Sequence, residues 1–209
     1  MLVIIQIISV LYAIVIHEFA HAFAAYKQGD LTAKLNGRLT LNPIPHLDVF
    51  GTIILPAMLI LSGSPLVIGW AKPVLVNPYN FKNQRWGNTI VSLAGPLANL
   101  LSAILFVIIL KLIFLFNLVS FDNYLVAFLS YLIIINTVLM IFNLIPIPPL
   151  DGSKFLFDVL PAKYQGIKEF LTRQGPWLLM IILIADSFLG LGIFSKIIGF
   201  FVNLIYGLI

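Results

Sequence analysis

Residues 2–26, LVIIQIISVLYAIVIHEFAHAFAAY, decide how the rest of the chain must be arranged. The stretch is apolar and long enough to cross a bilayer as a helix, which requires about 20 residues. Its second half contains the pattern HExxH, formed by His17, Glu18 and His21. Because residues four apart share one face of a helix, both histidines can bind one Zn²⁺ ion through ring nitrogens. Glu18 can then act as general base toward a water molecule, as this pattern does in metalloproteases.

The alternative is that these side chains only satisfy one another between helices, or that the match is accidental. A charged residue at the middle of a bilayer costs about 2.5 to 3.5 kcal/mol on insertion scales, so such residues are usually retained for function. A bound metal ion would offset that cost. The motif by itself therefore predicts a zinc hydrolase, and it leaves the third ligand open.

The composition excludes a soluble globular protein. Of the 209 residues, 61% are hydrophobic and 10% are charged, and the mean hydropathy is +1.08. These values are typical of an integral membrane protein. There is no cysteine, so a zinc site must use histidine, carboxylate and water. The net charge of +4 comes without a basic patch interleaved with aromatic residues, which argues against a nucleic-acid partner.

Two further apolar stretches, residues 89–116 and 125–145, predict membrane-spanning helices. The first contains several small residues, including Gly95, that let helices approach one another closely. Residues 154–174 are charged with an apolar helical stripe, and we expect a helix lying in the membrane interface. Residues 176–209 predict two short helices separated by Gly190-Leu191-Gly192.

A β-hairpin is predicted between the first span and residue 42. Residues 32–35 and 38–41 flank Asn36-Gly37, and this dipeptide between short alternating runs is typical of a two-residue hairpin turn. The hairpin is either an ordinary surface feature or an exposed sheet edge onto which an unwound substrate segment could add as a strand.

The path of residues 51–70 follows from the positions of the candidate ligands. His17 and His21 lie toward the far end of the first span, and Asp151 follows the end of residues 125–145. If residues 51–70 crossed the membrane once, Asp151 would emerge on the opposite side from the histidines. An out-and-back, re-entrant path places them together, and the prolines and glycine in this run suit such a buried segment.

The basic residues agree with that arrangement. All of the twelve lysines and arginines except Lys111 and Lys196 then lie on one side of the membrane. Since basic residues accumulate on the cytoplasmic side, the end with the histidines is expected to face the cytoplasm.

Three residues are candidates for the third ligand: Asp151, His46 and Asp48. Asp151 follows a proline-broken helix end at a depth that matches the two histidines. His46 is either a structural loop histidine, which is the usual role of a lone histidine, or a substrate contact or substitute ligand.

Three motifs in order carry a resemblance to a known family. HEFAH at residues 17–21, SLAGPLANL at 92–100 and NLIPIPPLDG at 143–152 resemble the site-2 protease family of intramembrane zinc metalloproteases. NPIPHLD at 42–48 and GWAKPV at 69–74 are similar to its compact prokaryotic members. The resemblance covers residues 1 to about 175. Val49 departs from it, because compact relatives tend to have proline there, and this leaves the roles of His46 and Asp48 open.

The resemblance implies a role for each matching residue. His17, His21 and Asp151 would bind zinc, and Glu18 would be the catalytic base. Asn143 would hold the substrate backbone or stabilise the developing oxyanion. The family also implies a membrane-associated hairpin edge beside the site, which corresponds here to residues 32–41.

The expected molecule is an all-α polytopic membrane protein with about five to six transmembrane helices, a small membrane-associated β-hairpin and a re-entrant segment. One intramembrane metalloprotease domain is expected over residues 1–209, with its core in 1–175, a helical segment at 176–209 and no appended soluble domain. It would bind one Zn²⁺ ion per chain and hydrolyse transmembrane proteins or peptides in the cell membrane. The alternatives are a catalytically idle membrane-protein binder with structural zinc and a divalent-metal transporter, although the paired repeats of transporters are not evident.

Overall fold

The computed structural model describes residues 2–55, 58, 62, 69 and 71–207. Regular structure in this part of the chain is helical. The α-helices, numbered in chain order, are Leu2–Lys27 (α1), Thr32–Leu35 (α2), Gly87–Leu115 (α3), Tyr124–Asn143 (α4), Gly152–Val159 (α5), Gln165–Phe188 (α6) and Ile193–Tyr206 (α7). Short 3-10 turns occur at Ile44–His46, Pro78–Asn80 and Ala162–Tyr164, and a π-helical turn at Val49–Ile54.

Helices α1, α3 and α4 form the centre of the protein. Among the described helices, these three are long and apolar enough to cross a membrane, and each packs against the other two. Leu101, Leu105 and Ile108 leave an exposed apolar stripe on α3, which suits contact with lipid and not with water. The chain is therefore a membrane protein whose core is a three-helix bundle.

The bundle is apolar in one half and polar in the other. Near the turn between α3 and α4, both helices contribute aliphatic side chains to a dry core, which α7 joins through Ile205. Tight packing of this kind holds helices together in a membrane, where exclusion from water contributes little. The core residues are Ala103, Val107, Leu110, Ile113, Val126, Leu129, Leu132, Ile133 and Ile205.

The connection between α1 and α3 leaves and returns at the same end of the bundle. The Lys82 N–H donates to the Gln28 carbonyl at 2.7 Å. The fully buried Asp30 carboxylate accepts the Asn77 N–H at 2.7 Å and the Asn80 side-chain amide at 2.9 Å. These bonds agree with an out-and-back path. The predicted re-entrant segment, residues 51–70, lies for the most part outside the described residues and stays a prediction.

The predicted β-hairpin is wrong. Residues Thr32–Leu35 are a helical turn, and the described residues contain no strand. Asp30 explains the helix start, because its carboxylate accepts both the Thr32 N–H at 3.0 Å and the Thr32 hydroxyl at 2.6 Å. Gly37 ends the helix with φ +67°, the left-handed conformation common just beyond a helix. Asn36-Gly37 therefore terminates a helix instead of forming a hairpin turn.

The segment after α4 also differs in part from expectation. The single interfacial helix predicted over residues 154–174 is broken at Leu160, which is extended before Pro161 as residues preceding proline prefer. Helix α6 then runs without interruption through Pro176 to Phe188. The predicted break at Gly190-Leu191-Gly192 is confirmed, since α6 ends before it and α7 begins after it.

Helix α3 is capped from a distant part of the chain. Its first turn lacks a side-chain cap from Trp86, but Asp158 of α5 accepts the Thr89 N–H at 3.0 Å and the Thr89 hydroxyl at 2.7 Å. A carboxylate at this position satisfies free N–H groups and interacts favourably with the helix dipole. The bond also ties α5, which begins just after Asp151, to the polar end of the bundle.

Candidate metal centre and catalytic site

Three potential metal ligands converge in the polar half of the bundle. His17 and His21 project from the second half of α1, and Asp151 is the residue that precedes α5. The Nε2 atoms of the two histidines are 3.0 Å apart. The Asp151 Oδ2 atom lies 3.2 Å from His17 Nε2 and 3.1 Å from His21 Nε2. All three residues are buried, so solvent does not separate these atoms.

The hydrogen bonds of the histidines show that this group suits a cation. His21 Nδ1 lies 2.7 Å from the Val91 carbonyl oxygen, which can only accept, so Nδ1 carries the proton and Nε2 a lone pair. His17 Nδ1 is bonded to Asn99 Oδ1 at 2.6 Å and has the same tautomer. Two lone pairs and a carboxylate oxygen therefore face one another. Tetrahedral zinc with bonds of about 2.0 Å separates its ligand atoms by about 3.3 Å, close to these distances.

The Asp151 carboxyl is held in its charged form. Burial by itself would raise its pKa, and the nearby Lys154 ammonium group lowers it by stabilising the charged form. Lys154 Nζ lies 3.5 Å from Asp151 Oδ1. An anionic oxygen is the form that a divalent cation requires of a carboxylate ligand.

Gly95 makes room for both histidine rings. A Cβ atom at this position of α3 would lie 2.5 Å from His21 Nε2 and 2.7 Å from His17 Cε1. These distances are too short for any side chain, so α3 can approach α1 this closely at this point only with glycine. The small-residue motif at 92–100 thus has a direct steric role in the site.

Glu18 lies at the mouth of the same site. It is half-buried, and its Oε2 atom accepts the backbone N–H of Val74 at 2.9 Å. Glu18 lines a cavity of about 180 Å³ together with the three candidate ligands. Pro73, Val74 and Val76, from the segment without regular structure that precedes α3, also line this cavity. The bond from the Val74 N–H holds the Glu18 carboxylate against this segment.

Asn143 lines the cavity at the end of α4. Its Nδ2 atom donates to the Leu139 carbonyl of its own helix at 3.0 Å, and its side chain is half-buried. The residue is therefore at the expected place, beside the candidate ligands. This bond uses one of the two amide protons, so the second proton can donate to a substrate group while the bond with Leu139 is kept.

Comparison with known proteins agrees with this geometry. The model of a family described as Peptidase family M50 matches residues 111–183. Over 181 residues, 85% of this chain and 78% of the relative, the sequence is 40% identical to "Putative zinc metalloprotease YwhC" of Bacillus subtilis (strain 168). The chain belongs to peptidase family M50. It is also 31% identical to "Putative zinc metalloprotease Rip2" of Mycolicibacterium smegmatis over 198 residues, 91% of this chain and 70% of the relative. No solved structure matches.

Membership of the M50 family confirms the resemblance to site-2 proteases and makes this chain a zinc metalloprotease. Among the described residues, the group that could hold the metal is His17, His21 and Asp151. The donor set of two imidazoles and one carboxylate is typical of catalytic zinc, which keeps a position open for water or substrate.

The other two candidate ligands lie outside this M50 site. His46 is fully buried and donates through Nε2 to the Thr40 carbonyl at 2.9 Å, while its Nδ1 has no hydrogen-bond partner among the described residues. Asp48 accepts the Gly51 N–H at 2.6 Å and caps the π-helical turn. Both residues shape the loop that precedes residues 51–70. The structure does not bring them to the metal group.

Two contacts of the M50 site were not predicted. One is the bond from Val74 to Glu18, which joins residues 56 positions apart. The other is the bond from His17 to Asn99, which joins residues 82 positions apart. The available signal for Asn99 is its polarity within an otherwise apolar span, because such a residue needs a buried partner.

Proposed function

We propose that this M50 protein hydrolyses peptide bonds of membrane-spanning proteins or peptides within or beside the bilayer. His17, His21 and Asp151 hold one Zn²⁺ ion per chain in this proposal, and Glu18 is the catalytic base. The observation that carries it is the convergence of three ligand atoms within 3.2 Å of one another, two of them on α1, which is long and apolar enough to span a membrane. Glu18 lines the same cavity.

A Zn²⁺ ion held by His17, His21 and Asp151 would supply Lewis acidity, which lowers the pKa of a water molecule toward about 7 and polarises a carbonyl group. Glu18 takes a proton from the water as its oxygen bonds to the scissile carbonyl carbon, and gives that proton to the leaving amine nitrogen as the C–N bond breaks. The Val74 N–H bonds to the Glu18 carboxylate and limits its movement. Asn143 donates from Nδ2 to the substrate backbone or to the oxyanion that develops on it. In a site that excludes bulk water, such a fixed donor stabilises charge strongly.

The substrate must unwind locally before it is cut. A transmembrane helix satisfies its backbone groups internally, so the scissile bond is accessible only where those hydrogen bonds are broken. Proline and glycine in the substrate reduce the cost of breaking them. We therefore expect cleavage near such residues.

The proposed setting is the cell membrane, with the polar end of the bundle toward the cytoplasm, because the basic residues cluster on that side. In addition to α1, α3 and α4, the protein then has a re-entrant segment and further membrane crossings after residue 176. This gives about five to six transmembrane segments in total. One domain covers residues 1–209, with the core in 1–175.

The substitution Glu18→Gln tests the function. It keeps the shape of the side chain and removes the base, so zinc content should stay at the wild-type level while cleavage of a model single-span substrate falls by about 100- to 10,000-fold. Elemental analysis of detergent-purified protein and gel-based cleavage measure the two quantities. Glu169→Gln, on an exposed part of α6, is the matched control and should cleave normally.

Zinc content of Asp151→Ala and His46→Ala tests the ligand set. Asp151→Ala should lose zinc and activity together, and His46→Ala should retain the metal.

Cleavage by Glu18→Gln at the wild-type rate would overturn the enzymatic role of Glu18. A wild-type protein that holds zinc and cuts no single-span substrate would favour an idle binder instead.

A further inference from the structure

We infer that Asn99, held in place by Asn136, is a positioning residue that fixes the tautomer and ring orientation of His17 for metal binding. The inference rests on the proposed role of His17 as a zinc ligand. It concerns a relay of buried hydrogen bonds, which we call the asparagine relay and which consists of Asn136, Asn99 and His17. The relay crosses all three helices of the bundle.

The relay begins at the backbone of α4. Asn136 Nδ2 donates to the Leu132 carbonyl at 2.8 Å, so Asn136 Oδ1 points away from that carbonyl as an acceptor. It accepts from Asn99 Nδ2 at 2.8 Å. Asn99 Nδ2 also donates to the Ala13 carbonyl of α1 at 3.0 Å. Both protons of the Asn99 amide are thereby used, and its Oδ1 faces His17 Nδ1 at 2.6 Å.

Each bond in the relay determines the direction of the next. The Leu132 and Ala13 carbonyls can only accept, so neither amide can rotate by 180° without placing an oxygen against an oxygen. Asn99 Oδ1 must therefore accept from His17, and the His17 proton must be on Nδ1. The Nε2 lone pair is then directed at Asp151 Oδ2, 3.2 Å away, where a metal ion would bind.

Complete burial makes this orientation costly to reverse. Asn99 and Asn136 have no exposed surface, so water cannot satisfy a flipped amide. An unsatisfied buried polar group costs about 1 to 3 kcal/mol, which is about a 5- to 150-fold preference for the observed tautomer. Hydrogen-bond partners of metal-binding histidines typically change metal affinity by about 10- to 100-fold when they are removed.

The two histidines differ in what fixes them. The Nδ1 proton of His21 is held by the Val91 backbone carbonyl, which no side-chain substitution removes. The Nδ1 proton of His17 depends on a side chain. His21 therefore serves as an internal reference in any experiment that disturbs the asparagine relay.

The alternative role of Asn99 is only to join the helices through its two donor bonds. The substitutions Asn99→Asp and Asn99→Leu separate the two roles. Aspartate keeps an acceptor for His17 but loses the donors to Ala13 and Asn136, and leucine loses both. Thr137→Val is the control, because Thr137 is equally buried on α4 and, among the described residues, its hydroxyl bonds to the Ile133 carbonyl of its own helix and to no other group.

Zinc affinity should be measured by competition with a chelator on detergent-purified full-length protein. We expect Asn99→Leu to bind zinc about 10- to 100-fold more weakly, Asn99→Asp to bind within about threefold of wild type, and Thr137→Val to match wild type. If Asn99→Asp loses as much affinity as Asn99→Leu, or if Asn99→Leu keeps wild-type affinity, the positioning role is wrong.

The tautomers of both histidines should be measured by ¹⁵N NMR on metal-free protein labelled at histidine. Wild type should carry the His17 proton on Nδ1, and Asn99→Leu should show a mixture at His17 with His21 unchanged. A His17 proton on Nε2 in the wild-type protein would overturn the inference even if a variant fails to fold. This readout requires neither zinc nor activity, so a failure of the proposed function is seen separately, as wild-type protein that binds no zinc.

Discussion

At the scale of single residues, the site depends on groups that carry no reactive chemistry. Gly95 contributes only the absence of a side chain, yet both imidazole rings occupy the space that a Cβ atom would take. Val74 contributes only a backbone N–H, and it is the hydrogen-bond donor to Glu18. The chemistry of HExxH thus requires atoms that the motif itself does not contain.

Gly95→Ala should therefore separate metal binding from folding. Alanine favours the helix by about 1 kcal/mol over glycine, but its methyl group would displace both rings, so we expect at least about a tenfold loss of zinc affinity. The loss should appear in the chelator competition assay. Gly199→Ala is the matched control, because a Cβ atom at that helical position has no neighbour within 4 Å. Unchanged zinc affinity in Gly95→Ala would show that α3 can move away from α1 without cost.

At the scale of elements, the connection between α1 and α3 is organised by Asp30. Its carboxylate caps α2 and accepts bonds from the segment that carries Val74 toward Glu18. Burial by itself would raise the pKa of Asp30, but the hydrogen bonds from Thr32, Asn77 and Asn80 outweigh it and lower the pKa below its ordinary value of 3.8. One carboxylate thus joins the start of α2 to the segment around residues 77–80, which precedes α3.

Protonation of Asp30 at low pH should destabilise the folded protein. Because the pKa of Asp30 is lower in the folded protein, the charged form stabilises the fold above about pH 4, and this contribution is lost as the pH falls through the folded pKa. We expect the segment 71–82 of wild type to become susceptible to proteolysis only as the pH falls below the folded pKa, which is itself below 3.8. Asp30→Asn should be susceptible already at pH 7, with a loss of about 1 to 3 kcal/mol in the free energy of unfolding.

Asp122→Asn is the control for this experiment, since Asp122 is exposed in the turn between α3 and α4. It should leave proteolysis of the 71–82 segment unchanged at pH 7. If Asp30→Asn is cut at the wild-type rate at pH 7, Asp30 does not hold this connection in place.

At the scale of the whole molecule, zinc would join parts that are far apart along the chain. His17 and Asp151 are separated by 134 positions, and the histidines lie on α1 while Asp151 precedes α5. A ligand that binds only the folded state stabilises it by about 2.7 kcal/mol when its free concentration is 100 times its Kd. Metal binding and assembly of the bundle should therefore be coupled.

Removal of zinc should lower the melting temperature of the protein in detergent, and addition of zinc should restore it. Asp151→Ala removes one of the three ligands, so its melting temperature should respond little to either treatment. Scanning fluorimetry measures the melting temperatures of wild type and Asp151→Ala, each with and without chelator. A full zinc-dependent shift in Asp151→Ala would mean that other residues complete the metal site.

Much of the molecule could be predicted from the chain alone because the relevant signals are local. The apolar stretches show the three central helices, and HExxH places two ligands and a base on one helix without knowledge of any other element. The third ligand was harder: three candidates remained until the resemblance at residues 143–152 favoured Asp151. The structure places Asp151, and neither His46 nor Asp48, beside the histidines.

Only the tertiary structure could show the contacts between elements that are distant along the chain. Asn36-Gly37 has the same local preference in a hairpin turn and at a helix end, and the buried Asp30 carboxylate decided for the helix. The roles of Gly95 and Asn99 depend on how closely α3 packs against α1. Composition and periodicity determine which segments enter the membrane, because burial in lipid depends on each segment's own polarity. They do not determine which side chains meet, because that depends on packing among helices that the chain connects over long distances.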